Sequence, residues 1–276
     1  MICKDYTVSQ ESFAIVKCSK CDFKFTNPRP EEGNLDKYYE SEDYVSHANK
    51  GNSLINIAYK TARYFTLRNK VKFIEQLHEK GNLLDYGCGT GAFLLHAKKQ
   101  GWNVLGVEPS DSARENIEKK FQPFVFGDLK EIKLKKHFHV ITLWHVLEHV
   151  STLTETLKKL KKLLAPGGKI VIAVPNCQSF DAGYYKEYWA GYDVPRHLYH
   201  FTQATMKVLL TSRKLKLVET HPMKLDAYYV SLLSEKYKTG SSKYINAIKI
   251  GYKSNKEAKQ NNNNYSSMIY VAEIAS

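Results

Sequence analysis

Leu83 Leu84 Asp85 Tyr86 Gly87 Cys88 Gly89 Thr90 Gly91 Ala92 Phe93 Leu94 Leu95 joins an apolar run to three glycines spaced two apart, then to a second apolar run. That order reads strand, glycine turn, helix. Glycine is needed where the backbone takes positive φ, or where a ligand must lie against the main chain with no Cβ in the way. The free N–H groups at the start of the following helix aim at the same spot. A nucleotide-like ligand is therefore expected over residues 87–91.

The dinucleotide fingerprint is GxGxxG. Here the third glycine comes one residue early and the strand ends in a carboxylate, which gives DxGxGxG. Downstream segments fall in step with that start. Residues 103–107 read as a second buried strand ending in Glu108, close to the ~20-residue separation at which an acid grips a ribose diol. Residues 123–126 read as a third strand running into Gly127 Asp128, and 138–143 as a fourth running into Trp144 His145. Residues 169–174 form a fifth, after the turn Ala165 Pro166 Gly167 Gly168. Agreement across several levels carries more weight than one glycine loop.

DxGxGxG with these followers resembles motif I of the class I S-adenosylmethionine-dependent methyltransferases. The resemblance covers roughly residues 80 to 220 strongly. It implies a Rossmann-like α/β fold: a seven-stranded, mostly parallel sheet with an antiparallel C-terminal hairpin, helices on both faces and an N-terminal extension. It implies S-adenosylmethionine as cofactor, with Asp85 supporting the turn and the methionine amino group, and Gly87, Gly89 and Gly91 passing close to the ligand. Glu108 would hold the ribose, Asp128 would sit beside the adenine amino group, and Trp144 would line the cofactor site.

Ligands of open α/β sheets sit beyond the carboxyl ends of the strands. The fourth strand leads there into His145 Val146 Leu147 Glu148 His149, and on a helical turn positions 145, 148 and 149 share one side. Two imidazoles and a carboxylate so placed suit a general base tuned by an acid, or a divalent metal. The run resembles the ExxEH element of the ubiquinone-biosynthesis O-methyltransferases and of metal-dependent small-RNA methyltransferases, with His145 where the first glutamate is expected. A bland reading, in which Glu148 and His149 only fix a turn, stands beside these.

A second group, Trp189 to Thr202, is dense in aromatics and polar residues on a long connection, and such connections are usually functional. Its W…DxPRHLxHFT string resembles bacterial methyltransferases of the broad ubiquinone-type superfamily, which implies that His197 faces the site. Asp193 and Arg196 are read as a pair pinning the loop. Cys18 and Cys21 form a CxxC, half of a zinc knuckle, with Cys3 as the third candidate ligand; a complete structural site has four. Cys177 follows the fifth strand but lacks the neighbours that activate a nucleophilic thiol, and Cys88 reads as a filler in the cofactor turn.

The chain has 276 residues, 43% of them hydrophobic, enough for one α/β domain with appendages. No apolar run approaches the ~20 residues that span a bilayer, and the N-terminus lacks a signal-peptide core. Five cysteines do not read as a disulfide framework. A cytoplasmic protein is expected. The net charge of +13 admits a nucleic-acid partner, but the lysines are scattered. Their densest group lies on the solvated side of an amphipathic helix over residues 152–164, with Thr152 and Glu155 in capping-box spacing.

Residues 1–50 read as an irregular extension with the CxxC, 51–80 as a helical lid or flank, and 81–276 as the cofactor-binding domain. Past the fifth strand, a helix is expected over 203–213, a strand over 215–219, a helix over 227–237, a polar loop at 260–264 and a final strand over 268–274. The expected activity is methyl transfer to a small molecule, first to a hydroxyl and next to an amine or carbon. RNA or protein methylation and a non-catalytic cofactor-binding role are the alternatives.

Overall fold

In the computed structural model, which describes residues 1–39, 54–119 and 121–275, the N-terminal segment is not irregular. Strands β1 (Ile2–Lys4), β2 (Ser12–Lys17) and β3 (Lys24–Thr26) pair antiparallel. The sheet is completed by a two-residue strand, Tyr199–His200, from the far side of the sequence. Three strands this short carry too few residues for a period-two signal, and the partner that stabilises them is remote. Residues 40–50 of the expected extension lie outside the described residues.

Helix α1 (Leu54–Leu77) precedes the central sheet. That sheet is built from β4 (Asn82–Tyr86), β5 (Asn103–Val107), β6 (Val125–Phe126), β7 (Phe138–Trp144) and β8 (Leu164–Pro175), which run parallel. With β9 the Tyr199–His200 strand, β10 (Leu215–Pro222) and β11 (Ser267–Ile274) close the far edge antiparallel. The order is β10-β11-β8-β7-β4-β5-β6, the seven-stranded arrangement expected. The third strand shrinks to Val125–Phe126 because residues 122–124 wind into a 3-10 turn around Pro123. The fifth starts early: Leu164 pairs with Phe138, and the Pro166–Gly168 turn is absorbed as an irregularity before Lys169 pairs with Val140.

Parallel strands buried on both faces read as continuous apolar runs, and these do. Leu84, Ile141 and Ile172 face one layer while Leu83, Val140 and Val171 face the other. Helix α2 (Ala92–Lys99) follows the glycine turn and lays Phe93, Leu94 and Ala97 on the second layer. After the short α3 (Asp111–Glu115), helix α4 (Leu153–Leu163) packs Leu153, Leu157, Leu160 and Leu163 on the first. The expected capping box on α4 does not form. Thr152 turns its hydroxyl to Thr156, 3.4 Å away, and makes no capping bond.

Helices α5 (Phe180–Tyr185) and α6 (Gln203–Ser212) flank the long connection. Thr202 caps α6, accepting the Thr205 N–H while Thr205 returns to its backbone. Between β10 and β11 lie α7 (Asp226–Thr239) and α8 (Tyr244–Gln260). The sequence pointed only to the first of these two. Among the described residues no helix is long and apolar enough to cross a membrane.

Candidate active site

The three glycines of the turn all take positive φ, but each for its own reason. At Gly87 (φ 74°) a Cβ would lie 2.4 Å from a Val146 methyl. At Gly89 (φ 54°) it would meet nothing within 4 Å, so this position faces the open space that a ligand needs. Gly91 (φ 72°) precedes α2 in the left-handed conformation. Glu108, at the carboxyl end of β5, accepts the Gly89 N–H at 2.8 Å and the Ser110 N–H at 3.0 Å. The acid of the second strand is thus fastened to the turn of the first. Asp128 follows β6 and caps a 3-10 turn, accepting the Lys130 N–H at 2.7 Å.

Asp85 is buried at the end of β4 and accepts the Thr142 hydroxyl at 2.6 Å. Burial pushes its carboxyl up to about 7, against the pull of the Thr142 hydroxyl and of Lys70. Lys70, from α1, holds its ammonium 4.6 Å from the Trp144 ring centre, in the field of Asp85 and Asp226. Sequence reading missed Lys70, because it is one of many lysines and only the docking of α1 brings it to this carboxylate. The indole N–H of Trp144 is buried and makes no hydrogen bond. Open space at Gly89, an acid pair and an aromatic face fit a sulfonium cofactor with an ammonium and a ribose.

The HxxEH run is not α-helical. His145 takes φ 58° and residues 147–149 form a 3-10 turn. His145 turns to α7, with Nε2 3.1 Å from Asp226 and Nδ1 3.5 Å from Glu148. Burial alone would depress it, but these two carboxylates hold it up at about 9, so it is an imidazolium at neutral pH. His145 is therefore occupied by an ion pair, and the expected grouping of 145, 148 and 149 as equals is corrected: the long connection supplies a different third member.

That member is His197. Suitable donor atoms of Glu148, His149 and His197 all lie within 4.8 Å of one another, and the two imidazoles meet edge to face at 4.6 Å. The His149 Nδ1 is 3.0 Å from the Arg196 carbonyl and 3.1 Å from the Tyr39 hydroxyl, and the His197 Nδ1 is 2.9 Å from the Gly191 carbonyl. A carbonyl only accepts, so in both rings Nδ1 carries a hydrogen, and at His149 Nε2 keeps its lone pair. Burial and the neighbouring His197 push His149 down to about 4. Glu148 is fully buried, and neither of its oxygens has a hydrogen-bond partner. Burial disfavours its charge, yet the surrounding histidines hold its carboxyl below the usual range.

The connection is held in place by Arg196. Its guanidinium is 1% exposed and pairs with Asp193 at 2.6 Å, with Asp5 at 2.9 Å and with the Tyr38 carbonyl at 2.8 Å. The Leu198 N–H donates to the Glu148 carbonyl at 2.8 Å, tying the loop to the HxxEH turn. Burial opposes the Asp5 charge, but Arg196 and the Ser9 N–H outweigh it and hold the carboxyl low. Asp5→Ala removes one of the two carboxylates on the buried guanidinium while Asp193 stays in place, so it should cost about 1–3 kcal/mol. A depressed carboxyl stabilises above its unfolded value and is lost as pH falls through its folded one. Urea unfolding at neutral pH should therefore separate the variant from the parent, and the gap should close in acid.

Among the described residues, the three candidate cysteines do not come together as one metal site. Cys3 is buried opposite Phe13 in β1, whereas Cys18 and Cys21 sit at the β2–β3 turn. Cys3 is about 16 Å along the ladder from Cys18 at ~3.3 Å per residue. Burial pushes the Cys3 thiol up to about 12 and the Cys177 thiol up to about 11, which leaves both unreactive. Among the described residues, Glu148, His149 and His197 are the group suited to an ion.

The model of a methyltransferase domain matches residues 59–220. A dTDP-4-amino-2,3,4,6-tetradeoxy-D-glucose N,N-dimethyltransferase of Saccharopolyspora spinosa is 34% identical over 103 residues, 35% of this chain and 41% of that protein. A ubiquinone biosynthesis O-methyltransferase of Coxiella burnetii is 31% identical over 116 residues, 39% and 50% of the two chains. The chain thus spans about half or less of the length of these relatives. The magnesium protoporphyrin IX methyltransferase of Synechocystis, solved with bound S-adenosylhomocysteine, superposes with a TM-score of 0.57 at 14% identity, over 89% of this chain and all of that one. The glycine turn, the acids at the carboxyl ends of β4 and β5, the strand order and the matched domain lead to one conclusion: the chain belongs to the class I S-adenosylmethionine-dependent methyltransferase family.

Proposed function

We propose that the protein transfers a methyl group from S-adenosylmethionine to a hydroxyl oxygen of a small-molecule acceptor, with Glu148, His149 and His197 holding a divalent cation at the acceptor side. The observation that carries this is the Glu148 carboxylate: ionised, fully buried and without a hydrogen-bond partner, with the His145 imidazolium 3.5 Å away and donor atoms of His149 and His197 within 4.8 Å. Two nitrogens and one carboxylate oxygen suit zinc and other divalent transition ions, and each Nδ1–H is fixed by a backbone carbonyl, as ligating histidines require. Such an ion supplies Lewis acidity that lowers the pKa of a hydroxyl.

The cofactor supplies an electrophilic methyl on a sulfonium. The chain's own part is to align and desolvate. With the cofactor bound, Asp85 would hold its ammonium, Glu108 its ribose diol and Asp128 its adenine edge, and Trp144 would line the sulfonium side. A carboxylate must be ionised to hold a cation, and Asp85 ionises near pH 7. Affinity for S-adenosylmethionine should therefore rise as pH passes upward through 7, with Lys70 and Glu108 as the charged neighbours. Calorimetric titration checks this, and a flat profile counts against the role of Asp85.

A second reading, with His149 as general base, draws on its Nε2 lone pair. Its depression to about 4 makes it a weak base at neutral pH. The reaction is tested by incubating the protein with methyl-labelled cofactor and a panel of phenols, sugars and lipid alcohols, reading the product by mass. Methyl ethers support the proposal; label found only on amines or RNA overturns it.

A further inference from the structure

Helix α8 is amphipathic twice over. One side packs Ala247, Ile250, Gly251, Ser254 and Ala258 into the protein. The side turned away from it carries Tyr244, Ile245, Ile248 and Tyr252, exposed by 60%, 75%, 60% and 63%. At i, i+1, i+4 and i+8 these four fall in one arc of the helix. Leu225 and Tyr229 of the neighbouring α7 region are exposed as well, by 63% and 48%, and the Asn255 side chain bonds the Lys224 carbonyl, joining the two helices there. Clustered large apolar side chains on a surface mark an interaction site.

The border of the arc identifies the partner. Lys249, Lys256 and Lys259 are exposed on the same helix, and its one acid, Glu257, projects to the other side of the arc. A second copy of this chain would bring lysine against lysine across a two-fold axis, on a protein whose net charge is already +13. An anionic lipid surface complements both parts. Apolar and tyrosine side chains enter the headgroup boundary while lysines meet phosphates.

We propose that this face of α8 seats the protein on an anionic membrane surface. The apolar positions, 244–252, then cover about 12 Å of the interface at ~1.5 Å per residue. Its packing partner α7 begins at Asp226, the residue that holds His145. On the reading of a small-molecule acceptor given above, a docked protein would draw its acceptors from the lipid surface.

The test is co-sedimentation of the full chain with vesicles of phosphatidylcholine alone and of phosphatidylcholine mixed with phosphatidylglycerol. Binding is expected only to the mixed vesicles and should weaken with salt. The double variant Ile245→Glu/Ile248→Glu should bind them at least ~10-fold more weakly, and Lys249→Glu/Lys256→Glu should weaken binding with a smaller salt dependence. Both should keep the parent's affinity for S-adenosylhomocysteine, which shows that they are folded. No binding to anionic vesicles, or equal binding by the isoleucine variant, overturns the proposal. A parent dimer in light scattering that the isoleucine variant dissociates, without vesicle binding, assigns the face to a second copy instead.

Discussion

Gly89→Val should abolish cofactor binding in a protein that still folds. Two costs add at this position. A β-branched residue at φ 54° is strained by about 1–3 kcal/mol, and its methyls enter space that no protein atom fills. An affinity loss of at least ~100-fold is expected, since this is the face along which the ligand must lie. Gly87→Val fails by a different route: its side chain runs into Val146, so the HxxEH turn must shift and stability should fall as well. Titration with S-adenosylhomocysteine, paired with thermal unfolding, separates the two. Parent-like affinity in folded Gly89→Val would mean that the ligand does not cross this turn.

Glu148→Gln should remove bound metal and lower turnover by about 10²–10⁴. The amide keeps the shape of the buried carboxylate but loses the charge that attracts a cation. His197→Ala should behave alike, because its Nε2 belongs to the same cluster. His145→Ala should retain the metal, since His145 is engaged by Asp226. Elemental analysis of the purified proteins reads metal directly, and chelation followed by divalent-ion addition should remove and restore activity. If chelator leaves turnover unchanged while His149→Ala loses it, His149 acts as the base and the cation is discarded.

Much of this was legible in the chain because the central strands are buried on both faces. Leu83 to Asp85, Asn103–Val107 and Phe138 to Leu143 announce themselves as apolar runs with an acid or histidine at the end. The glycine turn is legible for a related reason: positive φ excludes most other residues. Short elements were not. Strands β1, β2 and β3 are stabilised by β9, by the Asp5–Arg196 pair and by packing of Cys3 and Ile15 against Trp189 and Tyr192, contacts that span most of the sequence. Helix α8 was obscured by having apolar residues on two sides, which blurs a single amphipathic stripe.

The sequence by itself determined the parallel sheet, the glycine turn and the neighbourhood of the HxxEH run, since each depends on local backbone preference and on apolar runs that need only be buried. Tertiary structure decided which side chains in that neighbourhood act together. A left-handed His145 and a 3-10 turn send His145 to Asp226, while Arg196 carries His197 from a distant loop to the buried carboxylate of Glu148. Ionisation and hydrogen bonding depend on what stands within a few ångströms, and for buried groups those neighbours come from remote parts of the chain.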